Sequence, residues 1–281
     1  ENRDELEADV IVIADSGNIR IGEPTITTSL RGLVDATINI NLPIFPVHSG
    51  VGGGIIPDAM MVLSKILSSF HDEDGNLLIE GLTVDKSEVT EMDKEILDKM
   101  LGGDENIPYF KSSSMSEKLW LEPALDILAI DAPRVEESVN LIIPEATAKV
   151  SLRLAPSQNP DEAMDLLRKH VKENSPWGVD VNFIPGAKGS GVLCSSKGEF
   201  IQTLLKKFNS SWGKEPSFMG VGGSIPFANV FSQQFPNAEI ALIGVSDGEL
   251  GNAHAPNESV ELKDLEKMIE ALSSALVEYG K

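Results

Sequence analysis

The chain has 281 residues, 41% apolar and 24% charged, which suits one large soluble domain or two of ordinary size with a real core. No apolar run approaches a membrane span and no signal-peptide pattern opens the chain, so no membrane partner is expected. The formal charge of −21 argues against a nucleic-acid partner, and the single cysteine, Cys194, excludes an internal disulfide and a cysteine zinc finger while fitting a reducing cytosol.

In chain order, "DVIVIAD" (9–15) is a run of β-branched residues that predicts a strand buried on both faces, with Asp15 at its carboxyl end. "TSLRGLVDATINI" (28–40) alternates: Leu33, Asp35, Thr37 and Asn39 face one way, Val34, Ala36, Ile38 and Ile40 the other. After "HSGVGGG", the stretch "IPDAMMVLSKILSSF" has helical spacing, with Pro57 placed in the first turn. Residues 71–120 are acidic and irregular, with one or two short helices expected. "ALDILAI" (124–130) and "EATAKVSLRLAP" (145–156) read as strands. "NPDEAMDLLRKHVKEN" (159–174) reads as a helix, Asn159 as its N-cap and Pro160 as its first residue, and "GVDVNFIPG" follows as a strand.

Residues 28–186 thus run β-α-β-β-α-β, the order of a ferredoxin-like unit. The remainder, a helix at 196–213, the buried strand "AEIALIG" and a long terminal helix, belongs with "DVIVIAD" in an open α/β layer. The expected organisation is an incomplete open α/β domain from 1–27 and 214–281, with a ferredoxin-like α+β domain inserted at 28–213.

Chemistry is sought where strand ends converge, because metal ligands must be close in space and need not be close in sequence. Asp15 ends the first strand, and His254 lies in the polar loop "VSDGELGNAHAPNESV" (245–260) after the last. Both can meet at the carboxyl edge of one parallel sheet, although either alone is ordinary turn chemistry. "GVSDG" (244–248) fits a G-x-S-x-G nucleophile elbow, but "ELGNAHAP" follows where a helix must begin. "GVGGG" and "GVGGSIP" lack the spacing of a dinucleotide fingerprint or a P-loop.

Six stretches, "VIVIADSGN", "PTITTSLRG", "PVHSGVGGG", "KVSLRLAP", "GVGGSIPF" and "NAHAPNES", stand in the order of the M20 metallopeptidases, and the chain resembles their dipeptidase branch. The resemblance implies a two-zinc hydrolase in which Asp15 ligates one ion and His254 the other. It implies that His48, in the inserted lid domain, reaches across a homodimer to polarise the scissile carbonyl and stabilise the oxyanion. Arg153 would grip the substrate's terminal carboxylate, Gly223 and Ser224 would line the pocket, and Asn140 would be a partner-subunit contact.

Each residue also has a plain structural role open to it. His48 could cap the following helix, Arg153 could form a surface ion pair, and Gly222 and Gly223 could serve a turn. His71 and His170 match nothing in the family and are expected at the surface. The family's H-x-D motif, bridging aspartate and Glu-Glu pair do not occur here, so a missing N-terminal segment of the same protein is expected to supply them. This polypeptide alone is expected to be inactive. Two other functions are weighed: an M20 deacylase acting on N-acyl amino acids, and a non-catalytic dimerisation or binding module.

Overall fold

The computed structural model describes residues 3–102, 106–223, 225–247, 251–253 and 255–281. The chain opens with β1 (Val10–Asn18), β2 (Thr25–Leu30), β3 (Gly32–Asn41), β4 (Val47–His48), α1 (Ser49–Gly52) and α2 (Ala59–Ser68). Two short helices, α3 (Lys94–Met100) and α4 (Met115–Trp120), precede β5 (Ala124–Asp131), β6 (Leu141–Ile142), β7 (Glu145–Leu154), α5 (Pro160–Glu173) and β8 (Val181–Gly189). Then come β9 (Val192–Leu193), α6 (Glu199–Trp212), β10 (Ser217–Val221), α7 (Pro226–Gln234), β11 (Glu239–Asp247) and α8 (Leu262–Tyr279).

These elements form two compact units: Glu1–Arg31, Asp85–Glu122 and Gly191–Lys281 in the first, Gly32–Val84 and Pro123–Ser190 in the second. The boundaries differ from those expected, because residues 28–31, 85–122 and 191–213 lie with the first unit. The reasons are local. The apparent single strand at 28–40 is two strands, interrupted at Arg31, whose amide donates to the Val221 carbonyl, while Gly32 already pairs with Leu154. Helix α6 carries Phe200, Ile201, Leu204 and Phe208 against Ile26, Ala241 and Ile243. The 85–122 segment packs Met92, Ile96, Trp120 and Leu121 around Ile19, with Met219 against them.

The sheet of the first unit has the order β1-β11-β2-β10, with β9 added to β2. β1 and β11 are parallel, β11 and β2 antiparallel, and β2 and β10 parallel. α6 and α8 cover one face, and the other buries Ile13, Leu30 and Leu242 with Ile225 and Ala228. β1 is not buried on both faces as expected. It has one described neighbour, and of its apolar residues only Ile13 is fully buried. Asp264, 3% exposed in the first turn of α8, accepts from the Trp212 indole at 2.9 Å and the Gly22 amide at 2.7 Å, tying the end of α6 and the β1–β2 loop to α8. The start of α6 lacks its own side-chain cap, and Glu239 of β11 supplies one, accepting from the Phe200 and Ile201 amides.

The second unit is a four-stranded antiparallel sheet in the order β5-β7-β3-β8, with the β-α-β-β-α-β succession of a ferredoxin-like fold. The predicted alternation of β3 holds residue by residue: Val34, Ala36, Ile38 and Ile40 are fully buried under α2 and α5, and the intervening side chains are not. Asn159 caps α5 and Pro160 opens it. At α2 the cap is Asp58, whose Oδ1 accepts from the Met60 and Met61 amides, so Pro57 lies outside the helix and not in its first turn. A two-stranded ribbon, β4 with β6, stands apart from the main sheet.

Asp264→Ala would leave the buried Trp212 N–H and the half-buried Gly22 N–H without their acceptor. It should lower unfolding free energy by about 1–3 kcal/mol and change Trp212 fluorescence before global unfolding, read by denaturant titration.

Candidate active site

Asp15 lies within β1, three residues before its end, at a β-bulge. The ladder pairs Ile13 with Leu242 and then Ser16 with Gly244, so Ala14 and Asp15 together oppose Ile243. A bulge of this kind redirects a side chain. Asp15 is exposed, and its carboxylate bonds to no described residue. A second irregularity follows, where Gly17 pairs with Ser246. The backbones approach so closely here that a Cβ on Gly244 would lie 1.8 Å from the Ser16 carbonyl oxygen.

Because β1 and β11 are parallel neighbours, both point toward the same sheet edge. The loop after β11 is pinned there: the Ser259 amide donates to the Gly251 carbonyl at 3.0 Å, and Ser246 bridges to Val260. Asn252 and Asn257 adopt left-handed backbone conformations, with φ of 49° and 64°. His254 itself lies outside the described residues. Ser246 sits inside β11, so the strand–turn–helix of a nucleophile elbow is absent at this position.

Gly222 and Gly223 follow β10, and Ser224 lies outside the described residues. β10 runs opposite to β1 and β11, so the ladders carry Gly223 toward the edge where β11 begins and do not set it beside Asp15. Among the described residues, no group of three His, Cys, Asp or Glu side chains could hold a metal ion. Burial pushes the Cys194 thiol up to about 12, which disfavours the thiolate that a nucleophile needs.

In the second unit the β4–β6 ribbon brings together two residues singled out separately. His48 pairs directly with Leu141, and the Ser49 amide donates to the Asn140 carbonyl at 2.9 Å. His48 and Asn140 are both exposed. The His48 side chain caps α1, its Nδ1 accepting from the Gly50 amide at 3.0 Å, so its capping role is real. That bond engages Nδ1, and no described residue engages Nε2. Large apolar side chains accompany it: Phe45, Val51, Ile55 and Val139 are all well exposed. The sequence gives no warning of this ribbon, because two-residue strands carry no periodicity.

Arg153 is on β7, half-buried, with Leu33 and Ala124 as its cross-strand neighbours. Among the described residues, none forms the surface pair expected as its plain alternative, and none bonds its guanidinium. His170 corrects the expectation of a surface residue. It is partly buried, its ring stacks on Phe70 at 5.2 Å, and its Nε2 lies 3.0 Å from the Ser69 hydroxyl. Burial holds this imidazole below its usual range, partly offset by its hydrogen bond to the Ser69 carbonyl. His71 forms a bridge with Leu77 in a tight turn.

Known proteins bear directly on this arrangement. The model of the M20 "Peptidase dimerisation domain" matches residues 28–179, more than half of the chain. A "Cysteinylglycine-S-conjugate dipeptidase" of Corynebacterium striatum is 33% identical over 291 aligned positions, covering all of this chain and 62% of its own length. The "Beta-Ala-His dipeptidase" of Rattus norvegicus is 26% identical over 90% of this chain and 54% of its own length. Among solved structures, an M20 family metallo-carboxypeptidase of Sulfolobus solfataricus superposes with a TM-score of 0.77 at 24% identity, covering 98% of this chain and 64% of that one. The chain therefore spans less than two thirds of these proteins' lengths. It belongs to the M20 metallopeptidase family, among the sequences that include its dipeptidases.

Proposed function

We propose that the intact protein is a zinc-dependent dipeptidase, and that this chain supplies part of its catalytic domain together with its dimerisation domain. The observation that carries the reading is the parallel pairing of β1 with β11. It presents Asp15, a carboxylate that no described residue engages, beside the strand whose following loop holds His254. An exposed carboxylate displaced by a bulge suits a metal ligand. Asp15 and His254 would each hold one of two zinc ions, and sequence outside this chain would supply the remaining ligands and the general base. When bound, such ions lower the pKa of water and polarise the scissile carbonyl.

This chain's own residues bind and orient. Arg153, whose guanidinium no described residue engages, would take the terminal carboxylate of the substrate through its planar fork. His48 would donate from Nε2 to the oxygen that gathers negative charge, acting in the active site of a second copy, with Asn140 at the same subunit contact. The likeness to a cysteinylglycine conjugate dipeptidase favours dipeptides with a free amino terminus over N-acyl amino acids, which a substrate panel separates. The dimer reading draws on β5, which has one described neighbour and leaves Ile127, Leu128 and Ile130 about half exposed along its free edge.

Three outcomes test these roles. His48→Asn keeps a good helix cap but withdraws the donor from the Nε2 position, because its shorter amide N–H does not reach as far, so stability should stay within about 0.5 kcal/mol while kcat falls about 10²–10³-fold; full activity would refute the role of His48. In the intact protein, Asp15→Ala should lower bound zinc by elemental analysis, with at least about a tenfold loss of metal affinity; added zinc should restore activity to chelated wild type but not to the variant. Ile127→Lys combined with Ile130→Lys should shift the protein from dimer to monomer in sedimentation, and an unmoved dimer would place the interface elsewhere.

A further inference from the structure

We propose that Gly50 is a positioning residue for His48, holding the imidazole as the Nε2–H tautomer so that its exposed edge acts as a donor. This deepens the reading of His48 given above and rests on it. The Gly50 amide donates to His48 Nδ1 at 3.0 Å. A ring nitrogen that accepts a hydrogen bond carries no proton, so the proton of the neutral ring resides on Nε2. A donor is what an oxygen gathering negative charge requires; a ring turned to the other tautomer would present a lone pair to it and repel it.

The surroundings hold the ring in this state. The His48 backbone is fixed by its pairing with Leu141, and the next residue's amide is bonded to the Asn140 carbonyl at 2.9 Å. No other described residue bonds the imidazole, so the Gly50 amide alone among them sets its tautomer. Residue 50 also crowds the ring. A Cβ there would lie 3.1 Å from Nδ1 and 3.2 Å from Cε1, so the imidazole would have to give by a few tenths of an ångström, disturbing its bond to the amide. The capping role and the donor role are therefore one arrangement: the nitrogen that satisfies α1 is the nitrogen that must not carry the proton.

The test is nuclear magnetic resonance of the chain labelled with 15N in histidine and glycine. In the wild type, Nε2 should carry the proton, Nδ1 should not, and a coupling across the hydrogen bond should link the Gly50 amide nitrogen to Nδ1. Gly50→Ala should weaken that coupling, mix the two tautomers and lower kcat of the intact protein about tenfold, with KM changed less than about twofold. The other amide signals would report that the fold is retained. A proton on Nδ1 in the wild type, or a Gly50→Ala protein with unchanged tautomer and kcat, overturns the proposal. His48→Asn distinguishes the two levels. Full activity there removes the role of His48 itself, whereas lost activity there with an indifferent Gly50→Ala removes only the positioning by Gly50.

Discussion

Val10–Ile13 and Glu239–Leu242 pair in unbroken parallel register, and the ladder then slips twice within four residues. The regular part fixes two strands side by side with a common direction; the irregular part sets Asp15 out of the regular alternation and brings the backbones of Ser16 and Gly244 into contact. Parallel strands cannot be joined by a short turn, so these two are brought together by everything that lies between them in sequence. The site reading inherits that dependence. The carboxylate and the loop after β11 share an edge only if more than two hundred intervening residues fold correctly.

The second unit solves a different problem. Its sheet is held by strict alternation, with one face sealed by α2 and α5, which leaves the other face free for polar side chains such as Arg153. The β4–β6 ribbon contributes little to that core, yet it carries His48 and Asn140. If His48 acts as proposed, sheet and peripheral ribbon divide stability from chemistry, with functional groups on segments positioned by a scaffold.

Much of this was legible in the sequence because it rests on periodicity and capping. The alternation from Val34 to Ile40, the Asn159–Pro160 start of α5 and the ferredoxin-like order all follow from side-chain patterns that solvent exposure enforces. The division into units was less legible. Burial is unbroken from Thr25 to Gly32 and alternates only beyond it, so nothing at Arg31 itself betrays that Leu30 and Gly32 belong to different sheets. The segment 85–122 reads as irregular because its contacts, such as the reciprocal bonds between Thr90 and Phe218, are made one residue at a time. Of the site, Asp15 and the histidines were visible only through order and spacing of short motifs. The bulge that sets Asp15 apart and the amide that holds His48 are backbone events, and side-chain identity does not encode them directly.

Asp58 joins the two halves of the second unit's design. One of its oxygens starts α2, and the other accepts from the Ile143 amide at 3.1 Å, immediately after β6. The strand opposite His48 is therefore registered against the first turn of a buried helix by a single carboxylate. Repacking beneath α2 would be transmitted along that carboxylate to an imidazole ten positions upstream, so the reactivity of this surface could drift over evolution through substitutions that never touch it.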